Sequence, residues 1–275
     1  IISESEILKE EHILYGEIDL EKCRSERMKF QTALELQDTQ PYTEVCIQTA
    51  PITSPLQLAR SISPYPFVPS DPTLRSSRCM QILNMQAAGL SQRLKKIHCE
   101  HLLIGISGGL DSTLALIVAS MAFERIKLPS KNIIAVTMPG FGTTKRTQGN
   151  SHKLMEALHT TSREILIHDA CQQHFQDIGH DASLQDITYE NTQARERTQI
   201  LMDLANAYNG IVLGTGDLSE LALGWCTYNG DHMSMYAVNA SIPKTLVRYL
   251  VETYAEAMQE QGRLDIAAVL RDICA

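Results

Sequence analysis

The hydrophobic positions between residues 76 and 273 fall into short apolar runs that alternate with longer amphipathic stretches. The short runs predict buried strands at 102–106, 132–138, 164–169 and 210–215. The longer stretches predict helices at 76–97, 112–126, 150–160, 188–209, 244–259 and 263–273, with another helix starting at Asp217. Strands that alternate with helices indicate an α/β fold, a doubly wound parallel sheet with helices on both faces. Ligands of such sheets bind beyond the carboxyl ends of the strands, so we expect the chemistry just after residues 106, 138 and 215.

Two segments of different composition precede this pattern. Residues 1–50 are polar and rich in charge, and residues 51–72 hold six of the ten prolines. Because proline interrupts helices and central strands, we predict an extended linker over 51–72 and a domain over 73–275. The first residues are acidic and lack a methionine, so they do not predict a signal peptide, and we expect the chain to be a piece of a longer protein.

Composition excludes several classes of function. The net charge is −8 and no basic run is present, which argues against binding to nucleic acid. No apolar stretch approaches the ~20 residues of a membrane span. Seven cysteines without a C-x-x-C motif favour a reducing, cytoplasmic location and argue against a structural zinc site. Any phosphate must therefore be held locally, by backbone N–H groups, a metal ion or a few placed cations.

The loop after the first predicted strand carries the clearest chemistry. It reads Ser107-Gly108-Gly109-Leu110-Asp111-Ser112 and leads directly into a helix. Two glycines let backbone N–H groups converge, and the helix N-terminus adds about half a positive charge, so the loop is suited to phosphate. A carboxylate there would repel phosphate unless a divalent cation lay between them. We therefore infer a magnesium ion between Asp111 and a polyphosphate.

Two other interpretations of this loop stay open. Asp111 or Ser112 could simply cap the following helix, although capping gives no reason for two glycines. The sequence GISGG (105–109) also matches the G-x-S-x-G elbow of serine hydrolases, with Ser107 as the nucleophile. A hydrolase would then need an acid and a histidine later in the chain, and only His232 follows Asp217.

Longer motifs carry a resemblance to a known family. SGGLDS (107–112) resembles the pyrophosphate loop of the adenine-nucleotide ATP pyrophosphatases. From about Thr73 to the end, the chain closely resembles the glutamine-dependent NAD⁺ synthetases, on three segments: MPGFGTT (138–144), TYENTQARERTQILMDLAN (188–206) and VLGTGDLSELALGWCTYNGDHMSMYAVNASIPKTL (212–246). The segment YGEIDLEKCRSERMKF (15–30) resembles the end of their nitrilase-like glutaminase domain.

The resemblance implies a ligase of the ATP pyrophosphatase fold. The nicotinate carboxylate of deamido-NAD⁺ would attack the α-phosphorus of Mg·ATP, and ammonia would then attack the adenylate to give NAD⁺ and AMP. ATP, deamido-NAD⁺ and ammonia are the implied small partners, and the glutaminase domain of a full-length chain would supply the ammonia. We also expect a homo-oligomer. The family continues beyond the position of Ala275 with a segment that contributes to the site, so we expect a C-terminal truncation.

Site residues follow from the same resemblance, position by position. The implied ATP site comprises Gly105, Ile106, Ser107, Gly108, Gly109, Leu110, Asp111, Ser112, Thr215 and Lys244. The implied deamido-NAD⁺ site comprises Asn191, Arg195, Glu220, Trp225, Cys226, Thr227, Tyr228 and Asp231. The implied magnesium ligands are Asp111 and Glu220, although Glu220 is also described as a substrate contact. No covalent nucleophile is expected.

Several of these assignments have a plain structural alternative. Asp217 and Glu220 have the spacing of a helix-start capping box. A lone tryptophan such as Trp225 is more often core, and Cys226 could be a small apolar filler.

The long helix carries two candidate arginines. Asn191 and Arg195 are four apart and share a face, whereas Arg197 lies ~200° around the helix from Arg195, so we prefer Arg195.

Two other functions fit the same glycine-rich loop, and the cysteines lead to one further expectation. Another ATP pyrophosphatase with a different acceptor, or a non-catalytic nucleotide-binding module, would share the loop. Cys23, Cys46, Cys79 and Cys99 have no glutaminase motif around them. We therefore expect these 275 residues alone to make no ammonia from glutamine.

Overall fold

The computed structural model describes residues 16, 18–29, 43, 45–48, 64–141 and 145–275. The chain divides into two units, Ile1–Pro64 and Tyr65–Ala275. In the first unit, the described residues include the exposed helix α1 (Leu20–Lys29). The predicted glutaminase remnant (1–50) and linker (51–72) therefore lie mostly outside the described residues. None of the described helices is both long enough and apolar enough to cross a membrane.

The second unit alternates helices and strands in the predicted order. Its described elements are α2 (Pro72–Lys96), β1 (Leu102–Gly105), α3 (Leu110–Ile126), a 3₁₀ turn (Ser130–Asn132), β2 (Ile133–Thr137), α4 (Lys145–Ala157), β3 (Thr161–Glu164), α5 (His168–Ile178), α6 (Ile187–Ala207), β4 (Ile211–Gly214), α7 (Leu218–Leu223), β5 (Tyr236–Ala237), α8 (Lys244–Glu260) and α9 (Leu264–Cys274).

The five strands form one parallel sheet in the order β3-β2-β1-β4-β5. Leu102 at the start of β1 lies opposite Ile133 of β2 on one side and Ile211 of β4 on the other. The chain moves outward in one direction from β1 through β2 to β3 and then returns to the other side of β1 with β4. The loops after β1 and β4 therefore diverge and leave a crevice at the carboxyl edge of the sheet.

Both faces of the sheet are buried, which explains the continuous apolar runs of the central strands. Alternate residues serve the two faces: Leu102 and Ile104 pack against a core shared by α2, α3, α8 and α9, whereas Leu103 packs against α5 and α6. Helix α3 is buried without interruption from Ser112 to Ala119, because neighbouring elements cover it on all sides. The predicted α/β architecture is thus confirmed.

The third strand was predicted in the wrong place. Residues 164–169 were expected to be a strand, but β3 ends at Glu164 and α5, which the sequence did not predict, begins at His168. The reason is that β3 is an edge strand with polar, half-exposed residues, so it lacks the apolar signal of a central strand. The apolar pattern that predicted a strand at 164–169 includes Ile167, which lies after β3 and is buried against α5.

Two smaller differences concern the last third of the chain. The two-residue strand β5 carries too little pattern to be predicted. Helix α8 begins at Lys244 as predicted, with Pro243 before it in an extended conformation, but it ends at Glu260, one residue beyond the predicted 244–259.

Candidate functional site

A cavity of about 530 Å³ opens at the carboxyl edge of the sheet, in the crevice between the loops that follow β1 and β4. Its walls include the residues directly after three strands, namely Ile106 after β1, Met138 after β2 and Thr215 after β4. These are the three places at which the sequence predicted the chemistry. Helix α6 and the segment 226–233 close the other side. The volume lies within the range of small-molecule sites.

The glycine-rich loop between β1 and α3 lies at the floor of this cavity. Gly108 has a φ of 81°, in the left-handed region that favours glycine, so the chain can turn directly into α3. Ser107 Oγ accepts the Gly109 N–H at 3.3 Å, and Ser112 Oγ accepts the Ser107 N–H at 3.3 Å. Ser112 also donates to the Gly109 carbonyl at 3.1 Å. These bonds hold the loop in one shape before any ligand is bound.

The structure contradicts the idea that Asp111 or Ser112 merely caps α3. The N-cap residue is Gly109, and no side chain caps it. Asp111 is the second residue of the helix, and its carboxylate pairs with Lys244 Nζ instead of capping the backbone.

The serine hydrolase alternative also lacks its geometry. Ser107 Oγ bonds to Ser112 Oγ and to a backbone N–H. The imidazole of His232, the one histidine that follows Asp217, is engaged elsewhere, with Nδ1 2.9 Å from the Thr227 carbonyl oxygen. Within the described hydrogen bonds, no histidine serves Ser107 as a general base.

Three carboxylates meet between the loop after β1 and the start of α7. One oxygen from each of Asp111, Asp217 and Glu220 lies within 4.8 Å of the others. Asp217 is completely buried, and both it and Glu220 also form the predicted capping box, with the Glu220 N–H donating to Asp217 Oδ1 at 2.9 Å. The capping box and the carboxylate cluster therefore coexist.

Carboxylate oxygens are the ligands that Mg²⁺ prefers, so this cluster fits the inferred ion. Asp111 Oδ1 and Asp217 Oδ2 are buried atoms that accept no hydrogen bond among the described residues, although Lys244 Nζ lies 3.4 Å from Asp217 Oδ2. Burial and the charge of Asp217 raise the pKa of Glu220 above its usual range. The sequence named Asp111 and Glu220 as metal ligands but treated Asp217 only as a helix cap.

Lys244, the first residue of α8, points into this cluster. Its Nζ lies 2.5 Å from Asp111 Oδ2 and 3.4 Å from Asp217 Oδ2. Burial by itself would lower the pKa of Lys244, but the hydrogen bond to Asp111 and the charges of both aspartates raise it above its ordinary value. A cation at a helix N-terminus is unfavourable alone, and the carboxylates explain how it is tolerated there.

A buried asparagine connects the two loops that border the crevice. Asn239 Nδ2 donates to the carbonyl of Asp111 at 3.0 Å and to the carbonyl of Thr215 at 3.1 Å. Its own Oδ1 accepts from Gln86 Nε2 of α2 at 3.2 Å, and Asn239 has no exposed surface. One side chain thus joins the start of α3 to the end of β4.

The predicted deamido-NAD⁺ residues come together on α6 and the segment 225–231. Thr227 Oγ1 donates to Asn191 Oδ1 at 2.8 Å, and Asp231 Oδ1 accepts the Thr227 N–H at 2.8 Å. Arg195 Nε donates to the Tyr228 carbonyl at 3.2 Å. The sequence therefore identified a connected group of residues, although their role stays a prediction.

The two candidate arginines lie on different sides of α6, and which of them binds substrate stays a prediction. Arg197 lines the cavity, whereas Arg195 is exposed and is not among the residues of the wall. Arg197 Nε donates to the Met138 carbonyl at 3.2 Å, and burial lowers its pKa. The two residues do face different directions, as the helical geometry predicted. The face of α6 that lines the cavity consists of Glu190, Ala194, Arg197, Thr198 and Leu201.

The remaining predicted residues divide into those that line the cavity and those that do not. The predicted residues in the wall are Gly105, Ile106, Ser107, Asp111, Ser112, Thr215, Glu220, Cys226, Thr227 and Asp231. The glycine-rich loop also contains Gly108, Gly109 and Leu110, which do not line the cavity. Lys244 contacts the cavity residue Asp111. Trp225 is 79% exposed and Tyr228 is 83% exposed, so the alternative that Trp225 is a core residue is wrong. Cys226 is exposed as well and is not a core filler.

Several residues of the wall were not singled out by sequence reasoning. They include Thr137, Pro139, Ser151, Gly214, Gly216 and Met233. Pro139 and Gly216 directly follow the strand ends at which the chemistry was expected, although neither was named as a site residue. Ser151 and Met233 carry no local signal, because only the packing of distant segments brings them to the cavity.

Comparison with known proteins gives a consistent result. A family model described as NAD synthase matches residues 82–258. The glutamine-dependent NAD(+) synthetase of Mycobacterium leprae is 41% identical over an alignment of 276 positions, which covers 96% of this chain and 41% of that protein. The enzyme of the same name from Mycobacterium tuberculosis strain H37Rv is 43% identical over an alignment of 246 positions, which covers 86% of this chain and 36% of that protein. The chain thus spans about two fifths of the length of these relatives.

Solved structures show the same fold. Glutamine-dependent NAD+ synthetase from Acinetobacter baumannii in complex with adenosine diphosphate superposes with a TM-score of 0.63 at 28% identity, over 71% of this chain and 35% of that one. The NH3-dependent NAD synthetase of Campylobacter jejuni has a TM-score of 0.56 at 20% identity, over 71% of this chain and 93% of that one, which supports the fold alone.

Proposed function

The chain belongs to the NAD synthase family, and from this premise we propose that it carries out the ATP-dependent amidation of deamido-NAD⁺ to NAD⁺. The reaction passes through an adenylate and releases pyrophosphate and AMP. Glutamine is the source of the ammonia in the full-length protein. The family and the named activity of longer relatives support this assignment.

The observation that carries the proposal is the arrangement of opposite charges around the cavity. Backbone N–H groups at the N-terminus of α3 lie beside a group of three carboxylates, and both border the same cavity. Phosphate oxygens and carboxylates repel each other unless a divalent cation joins them. A site with both features is therefore suited to a metal-bound nucleoside triphosphate rather than to a free anion or a metal ion alone.

The residues that would hold Mg²⁺ are Asp111 and Glu220, both members of the carboxylate cluster. When bound, the ion supplies charge neutralisation on phosphate oxygens. The loop Ser107–Ser112 supplies N–H donors for the same oxygens, and the dipole of α3 adds about half a positive charge.

Formation of the adenylate requires no nucleophile from the protein, because the carboxylate of the substrate attacks the α-phosphorus. Catalysis then consists of holding two charged substrates in line and stabilising the charge on the departing pyrophosphate. Orientation alone can contribute about 7–11 kcal/mol to such a reaction. The hydrogen bonds that fix the loop and the buried Asn239 keep the donors in place before the substrates arrive.

The dinucleotide would lie along α6 and the segment 225–231. Asn191, Thr227 and Asp231 offer hydrogen-bonding groups there, and Arg197 offers a cation in the wall of the cavity. The aromatic side chains of Trp225 and Tyr228 are exposed beside it and are available to a planar ring or to a second copy of the chain. We include a homo-oligomer in the proposal on this ground.

Ammonia would come from a glutaminase domain elsewhere in the full-length chain. Three of the seven cysteines are unsuited to hydrolyse glutamine, because burial raises the pKa of Cys79, Cys171 and Cys274 and keeps their thiols protonated at neutral pH. All seven cysteines are unpaired, which supports a reducing compartment such as the cytoplasm.

Isotope exchange tests the proposal directly. Labelled pyrophosphate should enter ATP only when deamido-NAD⁺ is present, and the assay should be run on residues 1–275 and on the full-length protein. Exchange that depends on a different acceptor would replace the substrate with that acceptor. Binding of ATP without exchange in the full-length protein would make this domain a non-catalytic nucleotide-binding module.

A further inference from the structure

The carboxylate cluster contains one cation of its own. Lys244 Nζ lies 2.5 Å from Asp111 Oδ2 and 3.4 Å from Asp217 Oδ2, so a single ammonium bridges two of the three acids. Counting Asp111, Asp217 and Glu220 as ionised gives three negative charges against one positive charge. The cluster therefore carries excess negative charge, although Asp217 is buried and Asp111 and Glu220 are half-buried.

Asp217 is the least expected member of this group. Its side chain has no exposed surface, and its Oδ1 already accepts the Glu220 N–H of the capping box. Its Oδ2 is buried and accepts no hydrogen bond within the described part of the chain. A buried carboxylate oxygen that lacks a hydrogen-bond donor is costly, and it points to a stronger cation than the ammonium 3.4 Å away.

We propose that Asp217 is a third metal-binding carboxylate, and that a divalent ion displaces the Lys244 ammonium from between Asp111 and Asp217. Lys244 is thus a resident counter-ion of the metal site. The released ammonium then becomes a donor for a phosphate group at the same edge of the sheet. The inference rests on the proposed function in taking Mg·ATP as the species that arrives.

The position of Lys244 allows such an exchange. Its side chain is 52% exposed and has a flexible four-carbon stem, so the ammonium can leave the cluster without entering the core. Its backbone is fixed, because its N–H donates to Ser219 Oγ at 3.1 Å and Pro243 holds the preceding turn. The ammonium can therefore move while the start of α8 stays in place.

Metal binding without nucleotide tests this exchange, with Mn²⁺ as the probe in calorimetric titrations at constant ionic strength. Asp217→Asn should weaken Mn²⁺ binding about tenfold or more, because one charged ligand is lost while the asparagine can still cap α7. Lys244→Met should tighten Mn²⁺ binding about tenfold, because the competing cation is gone. Arg248→Met is the matched control: it removes one positive charge one turn further along α8, where Arg248 pairs with Glu252 at 2.8 Å, and should leave binding unchanged.

The outcomes separate the alternatives. Unaltered Mn²⁺ affinity in Asp217→Asn would make Asp217 a helix cap only, and equal affinities in Lys244→Met and Arg248→Met would show that Lys244 does not compete with the metal. Circular dichroism confirms that each variant is folded, and Asp217→Ser, which can also cap a helix, replaces Asp217→Asn if that variant is not. Because no nucleotide is used, the titrations decide this inference independently of the pyrophosphate exchange that decides the proposed function.

Discussion

Asp111→Asn is the substitution that isolates the role of charge at the glycine-rich loop. Asparagine has nearly the same shape as aspartate, and the backbone carbonyl that accepts the Asn239 amide is untouched. The change removes one negative charge from the cluster and the ion pair with Lys244. We expect the fold to persist and the requirement for magnesium to rise.

The size of the effect follows from the geometry. Two unit charges about 4 Å apart interact with about 4 kcal/mol at an effective dielectric constant of about 20, and a divalent ion doubles that figure. The side chain of Asp111 is 24% exposed, and removing it and the ion from water opposes the attraction. If about 3 kcal/mol remains, half-maximal activity should need about 100-fold more Mg²⁺, since each 1.36 kcal/mol is a factor of ten.

The assay is pyrophosphate exchange as a function of free Mg²⁺, with thermal unfolding measured in parallel. Asp169→Asn is the control, because Asp169 is likewise the second residue of its helix, α5, and lies outside the cavity. Both variants lose the favourable interaction of an acid with a helix N-terminus, about 0.3–1 kcal/mol, and Asp111→Asn also loses the ion pair with Lys244, so the melting curves serve to show that both variants are folded. If Asp111→Asn turned over near the wild-type rate at limiting Mg²⁺, the assignment of Asp111 to the metal would be refuted.

Three further predictions concern packing, nitrogen source and pH. Gly140→Ala should lower the free energy of unfolding by about 1–3 kcal/mol, because the added Cβ would overlap Gln193 Oε1. The control is Gly149→Ala, whose Cβ meets no atom within 4 Å and should not lower the free energy of unfolding. Equal urea midpoints for the two variants would contradict this packing. Residues 1–275 should form NAD⁺ from ammonium, and the rate should increase as pH rises at fixed total ammonium. Formation of NAD⁺ from glutamine in ammonia-free buffer would contradict the prediction that these residues alone make no ammonia from glutamine. Burial raises the pKa of the Cys274 thiol from 9.0 to about 11, so the unfolded thiol ionises first and stability should fall between pH 9 and 11, by up to about 3 kcal/mol. Unfolding in urea at pH 8 and 10.5 under reducing conditions measures this loss, and an equal loss in Cys274→Ala would assign it to other groups.

The central part of the fold could be predicted because its elements carry their own pattern. Strands β1, β2 and β4 are buried on both faces and read as uninterrupted apolar runs. Edge strand β3 is half exposed, and β5 is two residues long, so neither has a run to detect. The hydrophobic pattern therefore identifies the buried central strands and does not identify the two edge strands of the sheet.

The candidate site divides in the same way. Ser107–Ser112 is a contiguous motif, and its glycines and carboxylate are visible in the sequence alone. The contact between Asp111 and Lys244 joins residues 133 positions apart, so it depends on the order of the strands. The choice between Arg195 and Arg197 depends on the rotation of α6 about its axis, which a motif match does not specify. Asp217 was visible as a helix cap, but its position beside two other carboxylates depends on how distant segments are placed in space.

The double hydrogen bond of Asn239 has a consequence for how substrates enter. Because one buried amide binds the carbonyls of Asp111 and Thr215 together, the two loops at the crevice cannot separate like the halves of a hinge without losing both bonds. The phosphate side of the cavity is therefore preorganised, and little conformational entropy is lost there when a nucleotide binds. Any movement that admits substrates or releases products is therefore expected in the opposite wall, which α6 and the segment 226–233 form.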